Sequence, residues 1–482
     1  MGTISTNLQL PRSRPEDQGI SSEAISNFLN SLPNNKLDLH SFMLVRHGHV
    51  VAEGWWSPYG SDLPHMLFSL SKSFTSTAMG LAVSENLLSL DDLVISFFPE
   101  DVPDVISEHL AKMSVRHLLM MGTGHITDTM DAIIEREDGN WIKAFLSVPV
   151  EKNPGTHFLY NTGATYMLSA ILQKITGITL LDYLEPRLFT PLGIKDPAWE
   201  TCPRGINTGG FGLSVRTEDI AKFGQLYLQK GIWDNQRILT EDWINEATSK
   251  QISNGDGGES EWSQGYGYQF WNCRHGAYRG DGAFGQFCMV LPEQDVVIAI
   301  TSGTNDMQGV MNAVWEHLLP AMKEGSIVVE DATEAAANLA IQLNSLAMDP
   351  PQLQPSSSME DVLNGKVYSL DENEQKLVSI SISFTSSEAK FIIHNLHGEQ
   401  VIHSGRGVWV ESHAKILDNT QNHIMSSFTW KAEDTFQLTL LFIETPYCIT
   451  INLKVDGNNI QLTYDFNVSF GQSESKPIMG KA

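Results

Sequence analysis

Nine residues gather hydroxyl groups around a single amine: Phe68-Ser69-Leu70-Ser71-Lys72-Ser73-Phe74-Thr75-Ser76. A serine becomes a nucleophile only when a neighbouring group takes its proton. Of the four serines, Ser69 alone has a lysine three residues ahead, Lys72. Phe74, Ala78 and Leu81 follow at helical spacing, which predicts a helix from about Ser69 to Glu85, ended by Asn86. At i and i+3 the two side chains share a face, so the amine reaches the hydroxyl. First-turn N–H groups have no acceptor within a helix, and the Ser69 N–H can therefore serve a developing oxyanion. Burial and the positive helix end both disfavour a charged lysine and lower its pKa. A neutral Lys72 then takes the Ser69 proton. The competing explanation of a serine cluster is helix capping, and Ser71, Ser73 and Ser76 are assigned to it or to the helix surface.

The flanking elements must hold that pair in place. Residues 41–56 read as two strands around an Arg-His-Gly-His turn. Residues 114–121 read as a short helix capped by Ser114, and 163–176 as a helix stopped by Gly177. Residues 217–230 read as a helix with Thr217 as cap and Gly231 at its end. Residues 284–302 read as strand, turn, strand, and 309–323 as a closing helix. Strands at both ends with helices between predict one antiparallel sheet carrying an inserted helical subdomain, an α+β domain over residues 1–330. Residues 331–360 contain an alanine-rich helix and a Pro/Ser-rich linker. Residues 361–472 alternate strands and turns and predict an all-β barrel or sandwich, lipocalin-like, of roughly eight strands. Residues 473–482 read as a disordered tail.

Other motifs lack their structural context. Gly280-Asp281-Gly282-Ala283-Phe284-Gly285 matches the dinucleotide glycine pattern, but a strand rather than a helix follows it. Gly212-Leu213-Ser214-Val215-Arg216 has arginine where a nucleophile elbow needs its second glycine. Of the fifteen scattered histidines, His125 in Met121-Gly122-Thr123-Gly124-His125 is the one singled out as a candidate, and the rest read as surface or core residues. Tyr266, Tyr268, Phe270 and Trp271 could wall a pocket, although sheet packing accounts for most such rings.

Taken together, three ordered elements resemble the penicillin-binding serine hydrolases: class C β-lactamases, D-Ala-D-Ala carboxypeptidases and their esterase and amidase relatives. The first is Ser69-x-x-Lys72 opening a helix. The second is a tyrosine after a turn, in Pro154-Gly155-Thr156-His157-Phe158-Leu159-Tyr160-Asn161. The third is a strand triplet, here Gly280-Asp281-Gly282. The resemblance covers about residues 15–325. It implies Ser69 as nucleophile, Lys72 as base, and Tyr160 as partner in proton transfer. The oxyanion donors it implies are the N–H groups of Ser69 and Ala283. It places substrate against Gly280, Asp281, Gly282 and Asn161.

Two departures from the family pattern bear on substrate. The asparagine of Tyr-x-Asn is displaced to Asn161, and Thr162 stands in its place. The triplet carries Asp281 and has no lysine; an aspartate there repels the carboxylate of a β-lactam or peptidyl-D-Ala ligand. Arg279 is adjacent, and strand alternation turns it to the face opposite Gly280. A small ester or amide substrate is therefore expected, with no cofactor or metal. The alternatives are a β-lactamase, D-aminopeptidase or DD-peptidase of the same fold, and a non-catalytic ligand sensor. The β domain is expected to dock a partner or cover the active-site mouth.

Composition narrows the partners. With 31 basic and 57 acidic residues, the net charge of −26 opposes nucleic acid and anionic membranes. Four scattered cysteines, with no Cys-x-x-Cys pair, fit a reducing compartment. The first residues lack an apolar signal core, so the expected location is cytoplasmic. Gly2 and Thr6 match the short myristoylation pattern.

Overall fold

The structure is a computed structural model that describes residues 9–323, 325, 332–417 and 420–482. Gly2 and Thr6 lie outside the described residues. The chain forms two compact units. The first comprises residues 1–54, 64–302 and 306–344; the second comprises 55–63, 303–305 and 345–482.

In the first unit a six-stranded antiparallel sheet draws on both ends of the sequence. Its order is His49–Trp55, Leu39–Arg46, Val296–Ser302, Gln286–Leu291, Tyr278–Gly282, Trp271–Asn272. Leu44 faces Ile298 across the ladder, and Met289 faces Ile298 from the other side. The central strands are buried throughout, which explains their continuous apolar runs. Helix Thr217–Leu228 packs on this sheet. Gly224 permits the close approach, because a Cβ there would lie 2.5 Å from Val297 Cγ1. The cap of this helix is Arg216, not Thr217. The Thr217 hydroxyl is instead buried against Ser41 Oγ at 2.7 Å, binding helix to strand.

The helical subdomain lies between the strands in sequence, with Ser71–Ser84 and Thr162–Thr176 at its centre. Gly177, at φ 76°, terminates the second of these. The expected closing helix begins at Met307 and changes to a π turn over Val314–Leu318. Helix Ala332–Asn344, expected to belong with the linker, groups with the first unit, where Gln342 Nε2 donates to Asn30 Oδ1 at 2.9 Å. Among the described residues no single helix is long and apolar enough to cross a membrane.

The second unit is one ten-stranded sheet closed into a barrel. Closure is made by a parallel pairing of Gly405 with Ser427 and Arg406 with Phe428. Trp430, Phe436, Leu438 and Leu453 fill the interior. Glu360 accepts from Trp430 Nε1 and is gripped by Arg406, which satisfies the buried indole. The strand count exceeds the eight expected because short strands escape a pattern search. The segment expected to be a disordered tail holds one of them, Ile478–Lys481. It fits between Val367–Leu370 and Asn459–Phe466, turning Ile478 and Gly480 inward. Four residues with a single large apolar side chain facing in carry little periodic signal.

A chain ending at Pro477 leaves two facing strands without their shared neighbour. We expect this truncation to lower the stability of the barrel by about 2–4 kcal/mol, read as an earlier urea transition in far-UV circular dichroism. An unchanged transition would show that the strand contributes nothing.

Candidate active site

Ser69 sits in a short 3-10 turn, Phe68–Leu70, that leads into helix Ser71–Ser84. The helix is buried on nearly every side. The serines after Ser69 are therefore neither caps nor surface residues, contrary to expectation. Ser71 Oγ accepts from the Leu213 N–H at 3.1 Å, and Ser73 Oγ donates to the Gln269 carbonyl at 2.8 Å. They tie the helix to its neighbours, while Ser69 remains partly open.

Lys72 lies beneath it, 1% exposed. Its Nζ is 3.1 Å from Ser69 Oγ, 2.7 Å from the Gly210 carbonyl and 3.4 Å from Thr162 Oγ1. It also lies 4.9 Å from the centre of the Tyr160 ring. Burial pulls its pKa down to about 7, against a smaller upward pull from Asp128 and Asp281. The amine is thus poised near neutrality beside the hydroxyl it would deprotonate. Desolvation, followed by the Asp281 charge, raises the Tyr160 pKa far above the ordinary phenol value, against a smaller downward pull from the neighbouring Ser69. Tyr160 stays protonated and can donate but not act as a resting base.

Strand Tyr278–Gly282 presses against the Ser69 turn. A Cβ at Gly280 would lie 2.4 Å from Ser73 Oγ and 2.5 Å from Leu70 Cδ1; one at Gly282 would lie 2.0 Å from the Leu67 carbonyl oxygen. At these glycines, expected to meet substrate, strand and turn approach closely: a side chain at 282 would meet backbone, and one at 280 would have to displace the Ser73 hydroxyl and the tip of Leu70. Ala283 follows the strand and is partly open. Phe68 and Phe284, the residues beside Ser69 and Ala283, both have positive φ, 48° and 66°. Their rings meet edge to face at 5.4 Å. Strained backbone flanks both expected oxyanion donors, and one ring contact links the two.

Asp281 and Arg279 share the other face of the strand. Arg279 Nε donates to Asp281 Oδ2 at 2.9 Å and both side chains are buried. The guanidinium also lies 4.7 Å from the Trp262 ring centre. Trp271 stacks on Tyr160 at 5.2 Å, and Tyr266 meets Trp271 edge-on at 4.7 Å. Tyr266 and Trp271 therefore back the tyrosine. Tyr268 instead accepts from Arg116, and Phe270 packs on Tyr227.

Asn161 does not face Ser69. It is fully buried, its Oδ1 accepts from the Thr129 hydroxyl at 2.8 Å, and its Nδ2 lies 3.4 Å from Thr123 Oγ1 and from His125 Nδ1. It anchors the loop below the site. His125 is buried there too, with its pKa brought down to about 4 mainly by burial, so it is neutral. Thr162, one residue on, is the side chain that reaches Lys72, and Asp128 accepts from its N–H at 3.0 Å. Gln269 was not singled out from sequence. It receives Thr165 Oγ1 and Ser73 Oγ and donates to the Leu118 and Leu119 carbonyls, joining three elements behind the site. An isolated glutamine carries no motif that would mark it.

Sheet, inserted helices and the Ser-Lys turn define the β-lactamase/transpeptidase-like fold class of serine hydrolases. The Beta-lactamase family profile matches residues 40–320, and the chain belongs to that family. It is 23% identical over 293 residues to the 6-aminohexanoate-dimer hydrolase of Paenarthrobacter ureafaciens, covering 55% of this chain and 73% of the relative. It is 26% identical over 152 residues to the lovastatin esterase of Penicillium rubens, covering 27% of this chain and 38% of that protein. Among solved structures, a Bacillus anthracis protein provisionally named as a 6-aminohexanoate-dimer hydrolase superposes with TM-score 0.51 at 20% identity, over 69% of this chain and 86% of its own.

Two outcomes follow from the geometry. The kcat/KM for a neutral ester should rise as pH climbs through about 7, where Lys72 loses its proton, and should show no alkaline fall from Tyr160; a flat profile would contradict this. Gly282→Ala should lower both Tm and turnover, with about 1–3 kcal/mol lost to overpacking, measured by thermal unfolding and ester hydrolysis.

Proposed function

We propose that the protein hydrolyses a small ester or amide through an acyl-enzyme on Ser69. The observation carrying this reading is a nearly fully buried Lys72 with its Nζ 3.1 Å from Ser69 Oγ. Lys72 takes the hydroxyl proton as Ser69 attacks the carbonyl. The N–H groups of Ser69 and Ala283 receive the oxyanion. Tyr160 gives its proton to the leaving group and is reprotonated by the Lys72 ammonium beside it, which returns both groups to their starting states. Water then releases the acid with Lys72 as base again.

The substrate class is argued from charge. Asp281 faces away from Ser69, but its negative charge reaches Lys72 and Tyr160 and so disfavours a carboxylate beside the scissile bond, while Arg279 is already paired with Asp281. Two buried, paired groups leave no free cation to receive it. A neutral acyl group avoids that repulsion. The relatives above are named as a 6-aminohexanoate-dimer hydrolase and a lovastatin esterase, which supports hydrolysis of a small molecule without fixing its charge.

The test is a panel of nitrophenyl esters, anilides and nitrocefin on wild type and Ser69→Ala. We expect ester turnover by the parent, a loss of at least about 10³-fold in Ser69→Ala, and slow nitrocefin cleavage. Equal rates in parent and variant would refute the nucleophile. Rapid nitrocefin cleavage would move the assignment to a β-lactamase, and no turnover of any substrate would favour a ligand sensor.

A further inference from the structure

We propose that the barrel carries a surface site for a borderline divalent metal of the zinc type, formed by Glu411, His413 and His423. The site lies on the hairpin of strands Val410–Ala414 and Asn422–Ala432. Glu411 and His413 are two residues apart and share a strand face. His423 stands directly opposite His413 in the ladder. The imidazoles stack with centroids 4.6 Å apart and planes 16° from parallel. Glu411 Oε1 lies 2.9 Å from His423 Nε2 and 4.0 Å from His413 Nε2. One donor atom from each of the three falls within 4.8 Å of the others.

Two imidazoles and a carboxylate form a donor set for zinc, copper or nickel rather than for magnesium or calcium, which take oxygen alone. Bonds of about 2.0–2.1 Å in a tetrahedron place ligand atoms about 3.3 Å apart. The donors must therefore close by up to about 1.5 Å, within reach of small side-chain rotations at exposed Glu411 and His413 and at half-buried His423. A second feature points the same way. Glu444 Oε1 lies 3.9 Å from Nδ1 of His423, the ring nitrogen that faces away from Glu411. At that distance it is not hydrogen-bonded, but a small rotation lets it accept from Nδ1 when Nε2 holds the metal, which would fix the ring and strengthen it as a donor. The fourth position stays open to water.

A plain surface ion pair between Glu411 and His423 would account for one of these contacts but not for the stacked second imidazole. The physical effect of a bound ion is also definite. Val410–Ala414 ends the strand order of the barrel sheet. A metal bridging it to its neighbour pins that last strand across the hairpin. Nothing in the linear spacing announces the site, because the hairpin register creates it.

The experiment is zinc titration by calorimetry on the full chain, with thermal unfolding in parallel, for the wild type and for His413→Ala/His423→Ala. Both histidines are solvent-accessible, so the variant should fold, which its metal-free Tm will verify. We expect the wild type to bind one more equivalent of zinc than the variant, and zinc to raise Tm only in the wild type. Magnesium should do neither. Equal zinc uptake by both proteins, or no uptake by the wild type in excess zinc, would overturn the proposal.

Discussion

The amine of Lys72 is held out of water between a serine hydroxyl and a backbone carbonyl, and the site's geometry follows from that placement. A charged ammonium in such a place is unfavourable, so the group releases its proton several pH units below an exposed lysine. Maintaining that state requires walls on every side. Helix Ser71–Ser84 is accordingly buried almost throughout, and the hydroxyls of Ser71, Ser73 and Thr75 are bonded to neighbouring backbone rather than to solvent. The sheet built from both ends of the unit supplies one wall, the Thr162–Thr176 helix another. Small residues at 210, 280 and 282 allow the strands and loops to come this close.

The same closeness explains how this chain departs from lactamases. A side chain at 280 would displace the Ser73 hydroxyl and the tip of Leu70, and with glycine there the triplet carries no cation toward the serine. Asp281 is on the opposite face, where Arg279 balances it and the Trp262 ring covers the guanidinium. The charge that a carboxylate substrate would seek is already used within the protein. Thr162 likewise occupies the position beside Lys72 while Asn161 turns into the loop below, so the local chemistry is kept with a smaller side chain.

Much of this was legible in the sequence because it rests on spacing. Ser69 and Lys72 are three residues apart, and the 3-10 turn that runs straight into helix Ser71–Ser84 keeps them on one side as i, i+3 spacing requires. The α+β division and the β character of the second unit followed from hydrophobic period. Contacts made across long separations were not legible. Gln269 links three elements through its side chain and backbone, and no local pattern marks it. The spacer role of Gly280 and the inward turn of Asn161 depend on which segment packs against which. The strand at 478–481 was missed because pairing on both edges, rather than its own apolar content, holds it in the barrel.

The most direct test of Ser69 as the acylated residue is intact-protein and peptide mass spectrometry after rapid quenching of a reaction with an activated ester. A covalent acyl adduct on Ser69 is predicted, absent when Lys72 is replaced by alanine and the reaction is sampled at the same time. Turnover with the adduct on Ser71, Ser73 or Ser76, or turnover with no acyl adduct under conditions that make deacylation rate-limiting, would contradict the account.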